Sequence, residues 1–230
     1  MKSSLVSVAV IVLLLAASIG FVFVSNSALF RNSEKVTGSS LDASIAQAET
    51  NVSTHASTTK PYIALASLYL QKIRETSDSS YYQRIESLMD SAEKVDSKDG
   101  DIFAIRSSIS MGRHDFKSGY IAIQKALRLN PNRPAYYGLR GDSEIELGKY
   151  DAAVTSFQTM VDKRPDFNSW SRIAYIRELN GDVIGAKSSL NQSIGSGSTY
   201  PENIAWAYVE LGKLDLRDNP DAATHDFLHQ

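Results

Sequence analysis

Cysteine is absent from this chain of 230 residues. That absence excludes disulfides, a cysteine nucleophile, Cys-ligated metal and a lipidated N-terminal cysteine. An excess of one charge is missing too. The 24 Lys and Arg stand against 26 Asp and Glu, a net charge of −2, so bulk electrostatics make no case for nucleic-acid binding. Catalytic signatures are also lacking. There is no G-x-S-x-G and no H-E-x-x-H, and "GSGS" at Gly195–Ser198 lacks the lysine of a phosphate loop, so it reads as a flexible connection. Of four histidines, His225 and His229 stand four apart in "THDFLHQ" and could share a helix face. No third or fourth ligand accompanies them, and the plain reading is a solvated helix end, with an exported metal-binding protein as the alternative. The sequence thus offers no catalytic residue, no metal site, no cofactor and no evident small-molecule substrate.

What is present begins with one long apolar run. Leu5–Val24, "LVSVAVIVLLLAASIGFVFV", carries no charge, and as a helix it would be about 30 Å long, the thickness of a bilayer's hydrocarbon core. The length predicts an uncleaved N-terminal signal anchor over residues 1–27, hence a single-pass membrane protein with its body on the extracytoplasmic side, in the style of a prokaryotic envelope protein. A signal peptide cleaved after "SNS" at Ser25–Ser27 is the competing reading. Lys2 on one side and Arg31 and Lys35 on the other leave the orienting charges nearly balanced. Residues 28–60 read as a linker: ten of the 23 residues from Thr37 to Thr59 are Ser or Thr. Within it, "LDASIAQAETNV" puts Leu41, Ile45, Ala48 and Val52 on one face and predicts a short helix, free or packed on the first unit that follows.

The rest of the chain repeats itself at a shift of about 34 residues. "GRHDFKSGYIAIQKALRLNP" (Gly112–Pro131), "LGKYDAAVTSFQTMVDKRP" (Leu147–Pro165) and "NGDVIGAKSSLNQSIGSGS" (Asn180–Ser198) share one design. A glycine can close a helix in the left-handed conformation. Asp115, Asp151 and Asp182 can accept from the first amides of the next helix. Ala153 and Ala186 let two helices approach, Phe157 and Leu190 lie four residues on along the same face, and proline ends the unit. Each unit is a helix–turn–helix whose apolar face needs a neighbour.

This design resembles the tetratricopeptide repeat, with W-x2-L-G-x2-Y in its first helix and A-x3-F in its second. Pro134–Phe167 is the fullest copy: Tyr137 in the Trp place, Gly141 in the small place, Gly148 at the turn, then Tyr150, Ala153, Phe157 and Pro165. Arg140, Glu144 and Met160 depart from the pattern. The next unit matches at Trp170, Ala174, Gly181, Ala186 and Leu190, and the one before at Phe103, Ser107, Phe116, Ala126 and Pro131, with His114 where the turn glycine belongs. Upstream, "YIALASLYLQKI" and "YYQRIESLMDSAEKV" form a pair whose turn "RETSDSS" lengthens by about seven residues. Downstream, "NIAWAYVELGKL" opens a partial unit that either belongs to a longer chain or leaves its last helix uncovered. The resemblance implies an all-α solenoid over 61–230, with units near 61–99, 100–133, 134–167, 168–200 and 201–230.

It also implies a scaffold that binds a protein or peptide in a groove lined by the first helix of each unit. The groove positions fall at Asp142, Ile145 and Glu146, then Arg172, Tyr175 and Glu178, then Trp206 and Val209. Replacing Arg172 and Tyr175 is expected to weaken a partner's hold and leave melting unchanged. The family's basic clamp for chaperone C-termini is missing, because its Lys, Asn and Arg positions hold mostly Ala, Asp, Ser and Glu. A region tethering a separate enzyme is the alternative of a different class.

Overall fold

In a computed structural model of the chain, the residues described are 41–198 and 200–218. They form ten α-helices: α1 (Leu41–Thr54), α2 (Lys60–Thr76), α3 (Ser80–Val95), α4 (Gly100–Gly112), α5 (Phe116–Leu129), α6 (Pro134–Glu146), α7 (Tyr150–Lys163), α8 (Phe167–Leu179), α9 (Val183–Ser196) and α10 (Pro201–Asp218). Their contacts divide the chain into two compact units, up to Leu139 and from Arg140, with the division inside α6.

In the first unit, α2 packs on α3 and α4 on α5, and α1 lies against α2. The predicted face of α1 is the one used: Ile45 and Ala48 are buried, and Leu41 and Val52 pack beside them. Two polar contacts hold this helix in place, Lys72 to Asp42 at 2.7 Å and the Tyr69 hydroxyl donating to Glu49 at 2.7 Å. Arg106 of α4 reaches Glu93 at 2.5 Å and Asp90 at 2.7 Å on α3, linking consecutive pairs. The long "RETSDSS" turn is corrected. Its residues Arg74, Glu75 and Thr76 continue α2 for most of another turn, helped by Gln71 donating to Glu75 and Thr76 to the Lys72 carbonyl. Only Ser77–Ser79 are left as loop, with Ser77 in the left-handed region at φ 57°.

Turn chemistry follows the expected pattern with one displacement. Gly148 and Gly181 take φ of 71° and 78°, and His114 takes 61° in the corresponding place, the conformation a side chain resists and glycine does not. Asp115 accepts from the Ser118 amide and Asp182 from the Gly185 amide, as capping requires. Asp151 does not cap. Lys149 occupies the capping position of α7, and Asp151 falls inside the first turn, where its charge can only favour the helix dipole. Asp166 caps α8 instead, exchanging bonds with Ser169 in a capping box.

In the second unit, α7 packs on α8, α8 on α9 and α9 on α10. Ala153, Phe157, Val161, Ile173 and Ile176 form one apolar cluster, joined by Ile145 and Trp170. Ala174, Ala186, Leu190, Ala207, Leu211 and Leu214 belong to another. Hydroxyls are buried among them: Ser171 and Ser193 lie 2.7 Å apart and both lie within hydrogen-bond distance of the Phe167 carbonyl, so that their two protons serve each other and that oxygen, and Ser189 donates to the Gly185 carbonyl. Lys187 reaches Asp215 at 2.6 Å and ties α9 to α10.

The single-pass membrane location expected from the sequence is overturned. Among the described residues, no helix is long and apolar enough to cross a membrane. Leu5–Val24, to which the span was assigned, lies outside the described residues, as do the His225/His229 pair and the partial last helix near 220–230.

The small residue at position 141 has a direct steric cause. A methyl group there would sit 2.3 Å from Cε1 of Phe157, a ring with no exposed surface. Gly141→Ala is therefore expected to lose about 1–3 kcal/mol of stability despite the better helix propensity of alanine. Adding Phe157→Leu should recover part of the loss in a double-mutant cycle followed by thermal melting. Equal melting of Gly141→Ala and the parent would mean that the ring is not held as described.

Candidate functional site

The residues expected to line a groove come from α6, α8 and α10, and the structure sorts them by burial. Asp142 and Arg172 are 2% and 1% exposed and are spent on each other. The Arg172 guanidinium makes a two-pronged contact, Nε donating to Asp142 Oδ1 at 2.9 Å and Nη2 to Oδ2 at 2.8 Å, while Nη1 donates to the Asn168 carbonyl at 3.2 Å. Planar pairing of this kind suits a guanidinium better than an ammonium. Arg172 therefore fixes α8 against α6 rather than standing in a groove. Ile145 packs into the apolar cluster around Phe157.

A second polar contact joins α6 to α7. Ser156 of α7 is buried, donates to Glu144 and accepts from Arg140 Nε at 2.9 Å. The residues that departed from the repeat pattern, Arg140 and Glu144, are thus the ones that hold this serine.

Tyr175, Glu178 and Trp206 stay partly accessible and come together. They line a shallow cleft, about 250 Å³ counting space open to solvent, whose other walls are Ser171, Ala174, Leu190, Glu210 and Leu214. Helix α8 supplies one side, α10 the other, and Leu190 of α9 lies at the base. Spacing explains the convergence: 171, 174, 175 and 178 share one face of α8, as 206, 210 and 214 share one face of α10. Glu210 was not among the expected residues, although its place one turn after Trp206 signals the shared face.

Glu146 is not a lining residue of the cleft, but its charge reaches Tyr175. The Tyr175 phenol is pushed up to about 12, first by burial and then by the carboxylates of Glu146, Asp142 and Glu178 and by Tyr150. Among the described residues, no group of three or more His, Cys, Asp or Glu is placed to hold a metal ion.

No protein-family model and no curated protein matches this chain. Solved structures do. A chain of the APC/C Cut9–Hcn1 hetero-tetramer aligns with a TM-score of 0.70 at 13% identity, over 82% of this chain and 36% of that one. The present chain thus spans about a third of that relative. TTC0263, a TPR protein of Thermus thermophilus, aligns with a TM-score of 0.64 at 13% identity, over 76% of this chain and 91% of its own. PilF of Pseudomonas aeruginosa aligns with a TM-score of 0.59 at 12% identity, over 93% and 90%. At such identities the likeness establishes the fold, which is all-helical and of the tetratricopeptide-repeat α-solenoid type.

The burial of Arg172 reverses one expectation. Arg172→Ala leaves the Asp142 carboxylate stranded in the interior and is expected to cost about 3–5 kcal/mol, so melting will not be unchanged. Arg172→Met combined with Asp142→Leu should recover most of that loss, because it removes both charges. Denaturant unfolding of the three proteins measures it.

Tyr175 generates a pH effect. Its neutral form is favoured in the folded state relative to an ordinary tyrosine near 10. Its contribution to stability is therefore fully present below about pH 10 and is lost as pH rises toward about 12. Tyr175→Phe should flatten the alkaline fall in stability within that window, as followed by helicity against pH.

Proposed function

We propose that the chain is a binding scaffold, whose work is to hold a protein or peptide partner rather than to catalyse a reaction. The observation that carries this reading is the cleft of the second unit, where two alternate helices of the array, α8 and α10, present Tyr175, Glu178, Trp206 and Glu210 around an opening with an apolar base. Aromatic side chains that are half-buried in the free protein give a partner large contact area at small cost in conformational entropy.

The fold supports the same reading. Repeats of this type leave the first helix of each pair available to a ligand while the second covers the neighbour. The relative within the Cut9–Hcn1 hetero-tetramer is itself part of a protein assembly. Glu146, one turn after Asp142 on α6, extends the proposed face, whereas Asp142 and Arg172 set its geometry from below.

Site-specific photo-cross-linking tests the proposal. A photoreactive residue in place of Glu178 should trap a polypeptide in cells that make this protein. The same residue in place of Asp162, which is exposed on α7, should not. Adding Tyr175→Ala and Trp206→Ala should reduce trapping at position 178 at least about tenfold without lowering helicity. Equal trapping at both positions would move the binding surface elsewhere.

A further inference from the structure

The chemistry of the cleft selects the kind of partner it takes, an inference that rests on the binding reading above. Its charged lining residues are Glu178 and Glu210, and no Lys or Arg is among them. Arg172, whose place in the repeat would bring a cation to this face, is turned onto Asp142 and withdrawn from solvent. Lys213 contacts Glu210 at 2.7 Å from its own position on α10 and is half-exposed. Its apolar lining residues Ala174, Leu190 and Leu214 are buried and form the base, whereas Tyr175 and Trp206 stay partly exposed.

Two further observations agree in sign. Burial comes first in holding the Tyr175 phenol in its protonated form, and the carboxylates of Glu146, Asp142 and Glu178 add to it in the same direction. Charge is also shared unequally along the chain. From Arg140 onward, nine Lys and Arg stand against fourteen Asp and Glu, whereas up to Leu139 fifteen stand against twelve.

We propose that the cleft between α8 and α10 takes a basic segment of another protein, an arginine or lysine of which lies against Tyr175 and Trp206 with its cation toward Glu178 and Glu210. Each part of such a side chain meets a matching surface. The cation is attracted to the faces of aromatic rings and to carboxylates, and the attraction grows as water is excluded. The methylene stem covers the apolar base, as long cationic side chains do on apolar surface. Arginine suits the site best, because its planar fork can engage a carboxylate while its face lies on a ring. An acidic segment would meet like charge and be rejected.

The test uses the full chain in a Trp170→Phe background, which leaves Trp206 as the single indole. Three labelled peptides serve as probes: one with two arginines among Ala and Leu, one with citrulline in place of the arginines, and one with glutamate. The arginine peptide is expected to bind and to change Trp206 emission. Its affinity should exceed that of the other two by at least about tenfold and should fall as salt is raised. Glu178→Gln with Glu210→Gln should remove that preference. Asp151→Asn with Asp162→Asn, which takes the same two charges from exposed positions on α7, should keep it.

Binding that is equal for the three peptides, or preference that survives loss of both glutamates, overturns the proposal. Should cross-linking at position 178 still trap a polypeptide in that case, the face is a binding site and only its charge selectivity is wrong. Should the parent self-associate in sedimentation and the Glu178→Gln, Glu210→Gln protein not, the occupant is a second copy of this chain and a foreign basic segment is overturned. Absence of both trapping and peptide binding would remove the binding reading itself.

Discussion

A guanidinium and a carboxylate withdrawn from water must satisfy each other, and the second unit is arranged around one such pair. Arg172 and Asp142 meet in two parallel hydrogen bonds and are almost wholly buried. Replacing such a pair by apolar side chains can be neutral, whereas removing one member is costly. The pair therefore acts chiefly as a pin that fixes α8 on α6. The turns that follow inherit its position: Tyr175 and then Glu178 follow Arg172 on α8, and Glu146 follows Asp142 on α6. The cleft's composition is set in this way by two residues that do not line it.

Close approach of helices is the second constraint. Gly141 leaves room for the Phe157 ring, and Ala153 and Ala186 have no exposed surface. At each of these places a larger side chain would push two helices apart, and interiors packed like crystals do not absorb such changes cheaply. The same economy of volume admits Ser156, Ser171, Ser189 and Ser193, whose hydroxyls find backbone or side-chain acceptors. A buried hydroxyl that is hydrogen-bonded costs little, whereas an orphaned one carries the full penalty of its lost water.

Helix pairing is legible in the sequence because its signals are local. Gly148 and Gly181 end helices by the conformation only glycine adopts freely, and Asp115 and Asp182 cap the helices that follow. The register of Gly141 with Phe157 is visible as a small residue and an aromatic at repeat spacing. The fate of charge is not visible. Asp142 and Arg172 lie 30 residues apart, and an acidic or basic residue on an outward position reads alike whether solvated or paired. "RETSDSS" suggests a loop through its Ser and Asp, although Arg74, Glu75 and Thr76 can extend a helix through i to i+4 bonds. Glu210 stands outside the groove positions of the repeat, and only its place one turn from Trp206 ties it to the cleft.

The serines of the second unit bear on how the protein responds to temperature. Unfolding a core of aliphatic side chains raises heat capacity, because newly exposed apolar surface orders water around it, while exposure of polar groups lowers it. Where Ser171, Ser189 and Ser193 occupy interior positions that Leu or Val would fill in a more apolar core, unfolding uncovers less hydrocarbon and more hydroxyl and carbonyl. The curve of free energy against temperature for this unit is correspondingly flatter. Its folding then weakens less on cooling than that of an equally stable repeat built on branched aliphatics.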